Sequence, residues 1–279
     1  MNIAITGASG FVGSRLTDRL RREGHSVRAI SLRNELKPGE LQGMTAVVHM
    51  AGEPVSQRWS REARRKIVES RRDGTRKLVQ AMQGNPPNVL VSASAIGYYG
   101  DRGEEVLTEQ SSPGNGFLCE VAKAWEDEAL KAADYGVRVA RLRIGVVLGP
   151  GGGALKKMLL PFRLGLGARL GDGTQWMSWI HLDDLVSLIY FVIREKTLRG
   201  ALNATSPSPV TNLEFTKMLA STLHRPAIFS APRFALKLMY GDMAQMILDS
   251  QRVLPEATLA AGFEFEYPDL QGSLLEILG

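Results

Sequence analysis

A glycine-rich turn near the start of the chain has the residue types that phosphate binding needs. Gly7, Gly10 and Gly13 lie between an apolar run, Asn2–Thr6, and an amphipathic stretch that begins at Phe11. Residues without a Cβ let the backbone approach a pyrophosphate, and the unpaired N–H groups of a first helical turn attract the anion. A plain strand-to-helix turn is the alternative. The residues predicted to hold a dinucleotide here are Gly7, Ser9, Gly10, Phe11, Val12 and Gly13.

The segments that must position this turn alternate between strand-like and helical patterns. Short β-type runs occur at Asn2–Thr6, Ser26–Leu32, Ala46–Met50, Val89–Ser92 and Val137–Leu142, and helical stretches occur at Phe11–Glu23, Ser60–Met82 and Gly116–Tyr135. This order is typical of parallel sheets with right-handed crossover helices. The predicted fold class is therefore α/β, a Rossmann-type doubly wound parallel sheet with a smaller, mostly helical C-terminal substrate lobe.

The alternation breaks at Gly149–Gly153, which we interpret as a domain boundary or a mobile loop. Beyond it, short helical stretches are separated by prolines, as expected of a lobe that closes over a nucleotide domain. The predicted dinucleotide domain comprises residues 1–149 and roughly 176–205. The predicted substrate lobe comprises roughly 150–175 and 206–279.

The composition excludes several classes of protein. No run of about 18 apolar residues occurs, so neither a membrane span nor a membrane partner is expected. The single cysteine, Cys119, excludes an internal disulfide and, with no secretory pattern at the N-terminus, favours a cytoplasmic location. The four histidines are scattered without ligand spacing, so no metal site is expected.

A basic stretch, Arg58–Lys77, contains nine Lys or Arg residues against three acids. Nucleic-acid binding would explain this excess of positive charge. However, the apolar side chains of Ala63, Ile67 and Leu78 are spaced to bury one face of a helix, which leaves the basic residues on its solvated face. We therefore favour a solvated helix and expect no nucleic-acid partner.

Motifs spread along most of the chain resemble the extended short-chain dehydrogenase/reductase superfamily. They are the G-x-x-G-x-x-G turn, Val48–Gly52, Asp73–Thr75, Ser92–Ser94 and Trp179–Leu185. The segments Ala51–Pro54, SASAIGYYG at Ser92–Gly100, QWMSWIH at Gln175–His181 and Gln251–Pro255 are similar to an atypical bacterial branch of its NAD(P)-dependent epimerase/dehydratase family, whose members are sometimes labelled cell-division-inhibitor-like. By resemblance, further cofactor contacts are expected at Met50, Ala51, Gly52, Ser92, Ala93, Ile144, Gly145 and Val146.

The end of the second predicted strand indicates which nicotinamide cofactor binds. An acid there would bind a ribose 2′-hydroxyl and select NAD, but the strand ends in Ser31 and Arg33, and Glu35 is the first acid. A hydroxyl and a guanidinium suit a 2′-phosphate, and Arg15 could join them. Solvated surface arginines are the alternative. NADP, as NADPH, is therefore predicted over NAD.

The expected catalytic residues come from the resemblance. In the superfamily a Ser or Thr after the fourth strand works with a Tyr-x-x-x-Lys on the next helix. Ser94 matches the hydroxyl, while the usual spacing puts Cys119 at the tyrosine and Lys123 at the lysine, which would also touch the cofactor. The thiol could transfer protons or could be a buried core residue. Tyr98 could supply a phenol from another direction, or could pack or contact substrate.

Two classes of function stay open at this point. One is an NADP-dependent oxidoreductase or epimerase that acts on a small carbonyl, hydroxyl or sugar-like substrate, and a homodimer is compatible with the resemblance. The other is a catalytically weak or inactive NADP-binding sensor or scaffold, because the usual tyrosine is missing. The residues expected to contact substrate are Glu53, Trp59, Tyr98, Trp176, Met177, Trp179 and Arg252.

Overall fold

The computed structural model describes residues 1–34, 36 and 39–279 of the chain. The strands are β1 (Asn2–Thr6), β2 (Ser26–Ile30), β3 (Ala46–His49), β4 (Val89–Ala95), β5 (Val106–Leu107), β6 (Arg138–Ile144), β7 (Val146–Leu148), β8 (Ala168–Leu170), β9 (Trp176–Met177), β10 (Trp179–His181), β11 (Gly200–Ala204), β12 (Val210–Thr211), β13 (Phe229–Ala231) and β14 (Arg252–Val253). The helices are α1 (Phe11–Arg22), α2 (Arg61–Gln80), α3 (Phe117–Leu130), α4 (Gly153–Arg163), α5 (Leu182–Arg194), α6 (Asn212–Thr222), α7 (Arg233–Tyr240), α8 (Gln245–Leu248), α9 (Glu256–Ala260) and α10 (Leu270–Leu278).

A six-stranded sheet forms the centre of the molecule, in the order β11-β6-β4-β3-β1-β2, and every neighbouring pair in it is parallel. The strands of this sheet are mostly apolar because helices cover both faces. Thr6 and His49 lie level with each other at the carboxyl ends of β1 and β3, and Ser92 lies beside His49 on β4, which continues to Ala95. Ligands of open α/β sheets bind at this edge. The predicted Rossmann-type fold is confirmed.

Two apolar cores hold the helices against the sheet. On one face, Leu16 and Leu20 of α1 pack with Leu185 and Ile189 of α5 against the strands. On the other face, Leu78 of α2 and residues of α3 form a second core beneath the same strands. The glycine turn therefore lies between a sheet edge and a helix that are both fixed by packing.

The C-terminal part is mostly helical and has a core of its own. Trp179, Phe215 and Leu274 pack together there and join β10 to α6 and α10. Gly152, in the glycine-rich stretch, packs against the ring of Phe11, since an added Cβ would lie 2.3 Å from a ring carbon. This stretch therefore contacts the first helix of the sheet domain.

Candidate functional site

A cavity of about 420 Å³ lies at the carboxyl edge of the sheet. Its lining joins the glycine turn, the ends of β4 and β6, one face of α3, and residues of the C-terminal part around α8. Nine of the residues predicted from sequence to contact a dinucleotide are among those that line it: Gly7, Gly10, Val12, Gly13, Met50, Ala93, Ile144, Gly145 and Val146. The cavity therefore continues from the predicted pyrophosphate site to the sheet ends where a nicotinamide would lie.

The glycine turn has the close backbone approach that its spacing indicated. Gly7 has a φ of +74°, a conformation that favours glycine, and a Cβ on Gly13 would lie only 2.1 Å from the carbonyl oxygen of Gly7. Helix α1 can therefore pack on the turn only with glycine at position 13. Gly10 is the N-cap of α1 and carries no side chain that could occupy the helix N-terminus. This cradle suits a pyrophosphate.

A buried histidine holds the glycine turn against α2. His49 Nδ1 lies 2.7 Å from Thr6 Oγ1, and its Nε2 lies 2.8 Å from Thr75 Oγ1. Burial, together with the smaller effect of the charge of Arg71, lowers the pKa of His49 to about 3, so the ring is neutral. The Thr6 hydroxyl also accepts from the amides of Met50 and Ala51, which fixes the segment after β3 beside the cradle.

Ser94, the predicted catalytic hydroxyl, lines the cavity and belongs to a buried charged cluster. Its Oγ donates to Glu126 Oε1 at 2.7 Å, and Glu126 also accepts from Arg143 Nε at 2.9 Å and from Arg141 Nη1 at 2.8 Å. Glu126 and Arg143 are only 2% and 4% exposed. Because the hydroxyl proton is held by the carboxylate, the free lone pairs of Ser94 Oγ point away from this bond and can accept a further hydrogen bond.

Two tyrosines complete this buried cluster. The Tyr99 hydroxyl donates to Asn203 Oδ1 at 2.7 Å and accepts from Arg143 Nη1 at 3.0 Å. Burial raises the pKa of Tyr99, while Arg143 opposes the rise. The ring of Tyr98 lies under the guanidinium of Arg143, 3.5 Å from the ring centre, and does not line the cavity. Tyr98 therefore packs in the cluster.

The face of α3 that lines the cavity is apolar. It presents Leu118, Val121, Ala122 and Trp125, whose spacing of three and four residues places them on one side of a helix. Leu118 and Ala122 are spaced like the tyrosine and lysine of a Tyr-x-x-x-Lys motif, but their side chains carry neither a hydroxyl group nor an amine. Lys123, one position later, is exposed and is not among the lining residues. The expectation that Lys123 faces the site is corrected: the phase of the helix turns this side chain towards solvent.

Cys119 lies behind this face of the helix. Its side chain is buried, its Sγ donates to the carbonyl of Gly114 at 3.2 Å, and burial raises the pKa of the thiol. It lines a small secondary pocket beside Gly97 and Asn115 and is not among the residues that line the main cavity. The thiol therefore stays protonated, and its geometry matches the alternative of a buried core cysteine.

Two ionisable side chains, Arg71 and Asp249, are among the residues that line the cavity. Arg71 Nη1 donates to the carbonyls of Glu53 and Ile67, and its guanidinium lies over the ring of Trp125. Burial lowers the pKa of Arg71 to about 10, partly opposed by Glu53, so it is still a cation at neutral pH. A half-buried cation beside the glycine cradle is suited to an anionic ligand.

Asp249 faces the cavity from the C-terminal part of the chain. Burial and, to a smaller extent, the charge of Asp101 raise the pKa of its carboxyl group, Arg233 opposes the rise, and the resulting value is about 6. The group can therefore exchange a proton near neutral pH. Gln245, Met246 and Gln251 line the cavity beside it.

The predicted 2′-phosphate site lies at the end of β2. Ser31 and Arg33 are exposed there, and the Ser31 hydroxyl accepts from the backbone amide of Arg33. The guanidinium of Arg15 is instead held by both carboxylate oxygens of Asp183, at 2.6 and 2.7 Å. Glu35 lies outside the described residues.

The residues expected to contact substrate are not among those that line the cavity. Trp179 is fully buried and donates to the carbonyl of Ser208, and Trp59 is buried and donates to that of Val55. Trp176 donates to Glu104, and its ring lies under the guanidinium of Arg252. Glu53 bonds to Gln57, and Met177 packs in the C-terminal core. Trp59 and Trp179 are buried in separate apolar clusters, and neither they nor Trp176 line the cavity.

Sequence reasoning missed Arg71, Glu126, Arg143 and Asp249. Arg71 lies four residues from Ile67 and from Thr75, so helical spacing alone places it on the buried face of α2. Glu126 likewise lies four residues after Ala122 on the cavity side of α3. Asp249 carries no comparable signal, because its position depends on how the C-terminal part folds over the sheet.

The described residues offer neither a cluster of metal ligands nor a helix that could span a membrane. Residues 1–34, 36 and 39–279 contain no group of three or more His, Cys, Asp or Glu side chains that could hold a metal ion. Over the same residues, no helix is both long and apolar enough to cross a membrane.

Two family models match most of this chain. The model of the NAD dependent epimerase/dehydratase family matches residues 3–204, and that of a domain of unknown function, DUF1731, matches residues 231–277. The chain therefore belongs to the NAD dependent epimerase/dehydratase family.

Within this family the chain is similar to the proteins called epimerase family protein SDR39U1. The chloroplastic homologue of Arabidopsis thaliana is 42% identical, over 100% of this chain and 87% of its own length. The crystal structure of human SDR39U1, solved with NADPH, superposes with a TM-score of 0.91 at 32% identity, over 99% of both chains. A nucleoside-diphosphate sugar epimerase of Corynebacterium glutamicum gives a TM-score of 0.83 at 35% identity, over 100% of this chain and 58% of the other.

Proposed function

We propose that the chain is an NADPH-dependent reductase of a small carbonyl compound, with the reaction taking place in the cavity between the glycine turn and α8. The observation that carries this proposal is the continuity of the cavity, which runs from the glycine cradle past Ser94 to Asp249. The human relative solved with NADPH supports the choice of cofactor. Bound NADPH would supply a hydride from its nicotinamide ring.

The cofactor fits the residues present. Gly7 and Gly13 leave the backbone cradle open for a pyrophosphate, since Cβ atoms there would meet neighbouring backbone at 3.0 and 2.1 Å. Arg71 offers a cation to the same cavity, and Arg33 is exposed at the end of β2, where a 2′-phosphate would lie. The apolar face of α3 would exclude water from a nicotinamide.

Ser94 and Asp249 would divide the work that a Ser and a Tyr-Lys pair perform elsewhere in the superfamily. Ser94 would orient the substrate from the sheet side, because its hydroxyl donates to Glu126 and its lone pairs are free to accept from a hydroxyl group that the substrate carries beside its carbonyl group. As the hydride adds to the carbonyl carbon, the Asp249 carboxyl would give its proton to the carbonyl oxygen. The products are an alcohol and NADP⁺. The Asp249 carboxylate that remains is then reprotonated from solvent.

A second function, NADPH binding without turnover, is favoured by the apolar residues Leu118 and Ala122 at the spacing of the usual tyrosine and lysine. The two functions differ in a single assay. Purified protein is incubated with NADPH and a panel of aliphatic and aromatic aldehydes and ketones, and loss of nicotinamide absorbance is followed. Turnover that is lost in Asp249→Asn supports the reductase. Tight NADPH binding with no oxidation by any carbonyl compound would favour the non-catalytic function.

A further inference from the structure

An unusually apolar area of the C-terminal part is exposed. It is formed by residues 160–171 and 224–241, which we call the basic apolar surface. The exposed large apolar side chains in these two segments are Leu160, Leu164, Leu166, Ile228, Phe229, Phe234, Leu238, Met239 and Tyr240. Ile228, Phe234 and Leu238 are 82%, 75% and 83% exposed. Clustered exposure of this kind marks an interaction site.

The two segments form one continuous surface. Strand β13 pairs in parallel with β8, so that Phe229 lies beside Ala168. Arg225 Nε donates to the carbonyl of Arg163 at 3.1 Å, and Ser230 Oγ donates to the carbonyl of Gly171 at 2.8 Å. The apolar side chains of the two segments are therefore held together by backbone pairing.

The charge of this surface has one sign. The two segments carry Arg163, Arg169, Arg225, Arg233 and Lys237, all exposed, and contain no aspartate or glutamate. The acids at its border are Asp172, Asp242, which pairs with Arg64, and Asp249, whose raised pKa is partly opposed by the charge of Arg233.

Helix α7 shows how charge and apolarity are combined. Its buried residue, Leu236, lies on the side opposite Phe234 and Leu238, which stand one turn apart on the exposed side. Arg233 and Lys237, also one turn apart, flank that exposed side. An apolar stripe beside a basic stripe is the pattern of helices that lie in the interface of an anionic bilayer.

We propose that the basic apolar surface docks onto an anionic lipid bilayer as a peripheral contact. The exposed apolar side chains would enter the headgroup and acyl boundary, while the flanking cations meet lipid phosphates. A second copy of the chain is a poorer occupant, because a symmetric contact would bring the same cations face to face. This proposal departs from the sequence-based expectation of no membrane partner, which depended only on the absence of a spanning run, and a peripheral contact needs no spanning helix.

The test is flotation of the full chain with vesicles of phosphatidylglycerol and phosphatidylcholine in equal parts, and with vesicles of phosphatidylcholine alone. We expect binding to the anionic vesicles that weakens as salt is raised. The double variant F234S/L238S should lower the partition coefficient by about tenfold or more for each side chain lost. L275S, which changes a half-exposed leucine of α10, is the matched control and should bind as the wild type does.

A pair of charge-reversal variants, one inside and one outside the basic apolar surface, sharpens the test. Lys237→Glu should weaken binding to anionic vesicles, while Lys196→Glu, the same change at an exposed site outside the surface, should not. Absence of binding to either kind of vesicle by a folded protein would overturn the proposal. So would a dimer, seen by sedimentation, that F234S/L238S dissociates while vesicles stay unbound. Equal binding to neutral and anionic vesicles would overturn the role of the cations.

Discussion

The two walls of the cavity are fixed by different kinds of interaction. The sheet-side wall, formed by the glycine turn and the ends of β4 and β6, depends on backbone geometry that excludes side chains, as Gly7 and Gly13 show. The helix-side wall, formed by α3 and α8, depends on which side chains face inwards, and there Leu118 and Ala122 present no proton-transferring group. The residues proposed to bind the dinucleotide therefore lie on a different wall from the residue proposed to transfer a proton.

The largest effect is expected at the backbone of the sheet-side wall. Gly13→Ala should abolish NADPH binding, because its Cβ would overlap the carbonyl of Gly7 and force α1 away from the cradle. Gly74→Ala is the matched control, since its Cβ would meet only the side chain of Leu32 at an ordinary 3.6 Å. Fluorescence titration with NADPH measures both variants. Unchanged affinity for NADPH in a folded Gly13→Ala variant would contradict the proposal that the glycine turn binds the pyrophosphate.

The charged cluster behind Ser94 should be the next most sensitive feature. Glu126→Gln leaves the buried guanidinium of Arg143 without a counter-charge and should lower the free energy of unfolding by about 3–5 kcal/mol. Asp127→Asn, the next residue on α3 and exposed, should change it little. Urea unfolding compares the two variants, and equal stability would show that the cluster is not needed to hold Ser94.

Substitution on the helix-side wall should separate chemistry from binding. Asp249→Asn should lower turnover by about a hundredfold while NADPH affinity is retained, because the amide has no proton to give. In the wild type, the protonated carboxyl is lost as pH rises through about 6, so the rate should fall tenfold for each pH unit above that value.

Lys123→Ala is the control for Asp249, since this exposed lysine lies off the cavity and should be dispensable for turnover. The rate is followed from pH 5 to 8, with carbonyl reduction as the readout. A rate that stays level over this range, or a Lys123→Ala variant as impaired as Asp249→Asn, would exclude Asp249 as the proton donor.

A smaller effect is expected at the adenosine end of the sheet-side wall. Arg33→Ala should weaken NADPH by about tenfold and leave NADH unchanged, because the guanidinium would contact only the 2′-phosphate. Arg15→Ala should change the affinity for neither NADPH nor NADH, since Asp183 already binds the Arg15 guanidinium. Equal losses of NADPH and NADH in Arg33→Ala would argue against a phosphate contact at this position.

The elements of the sheet domain could be predicted well from the sequence. Periodicity located β1 and α1 to within two residues, because an apolar strand, three glycines and an amphipathic helix follow one another without ambiguity. The start of α5 is less clear from sequence, because His181 caps it by accepting from the amide of Asp183, although the next two residues, Asp183 and Asp184, are of a type that commonly caps helices. Histidine rarely serves as an N-cap, so residue preference pointed to the acids.

The site could be predicted only in part. Glycine positions carry their meaning in the sequence, and so the cradle was predictable. The inward face of α3 was not, because spacing carried over from the superfamily placed Cys119 and Lys123 where the packed helix presents Leu118 and Ala122. Charged residues are normally exposed, so nothing local indicated that Glu126 and Arg143 would be buried together.

The most direct test of the central claim is a titration with NADPH and with NADH that follows energy transfer from tryptophan to the nicotinamide. Trp125 lines the cavity, so bound NADPH should accept energy from it, and Trp125→Phe should lose much of this signal while binding persists. We expect saturable binding with a higher affinity for NADPH than for NADH. Failure of the folded protein to bind either dinucleotide would contradict it.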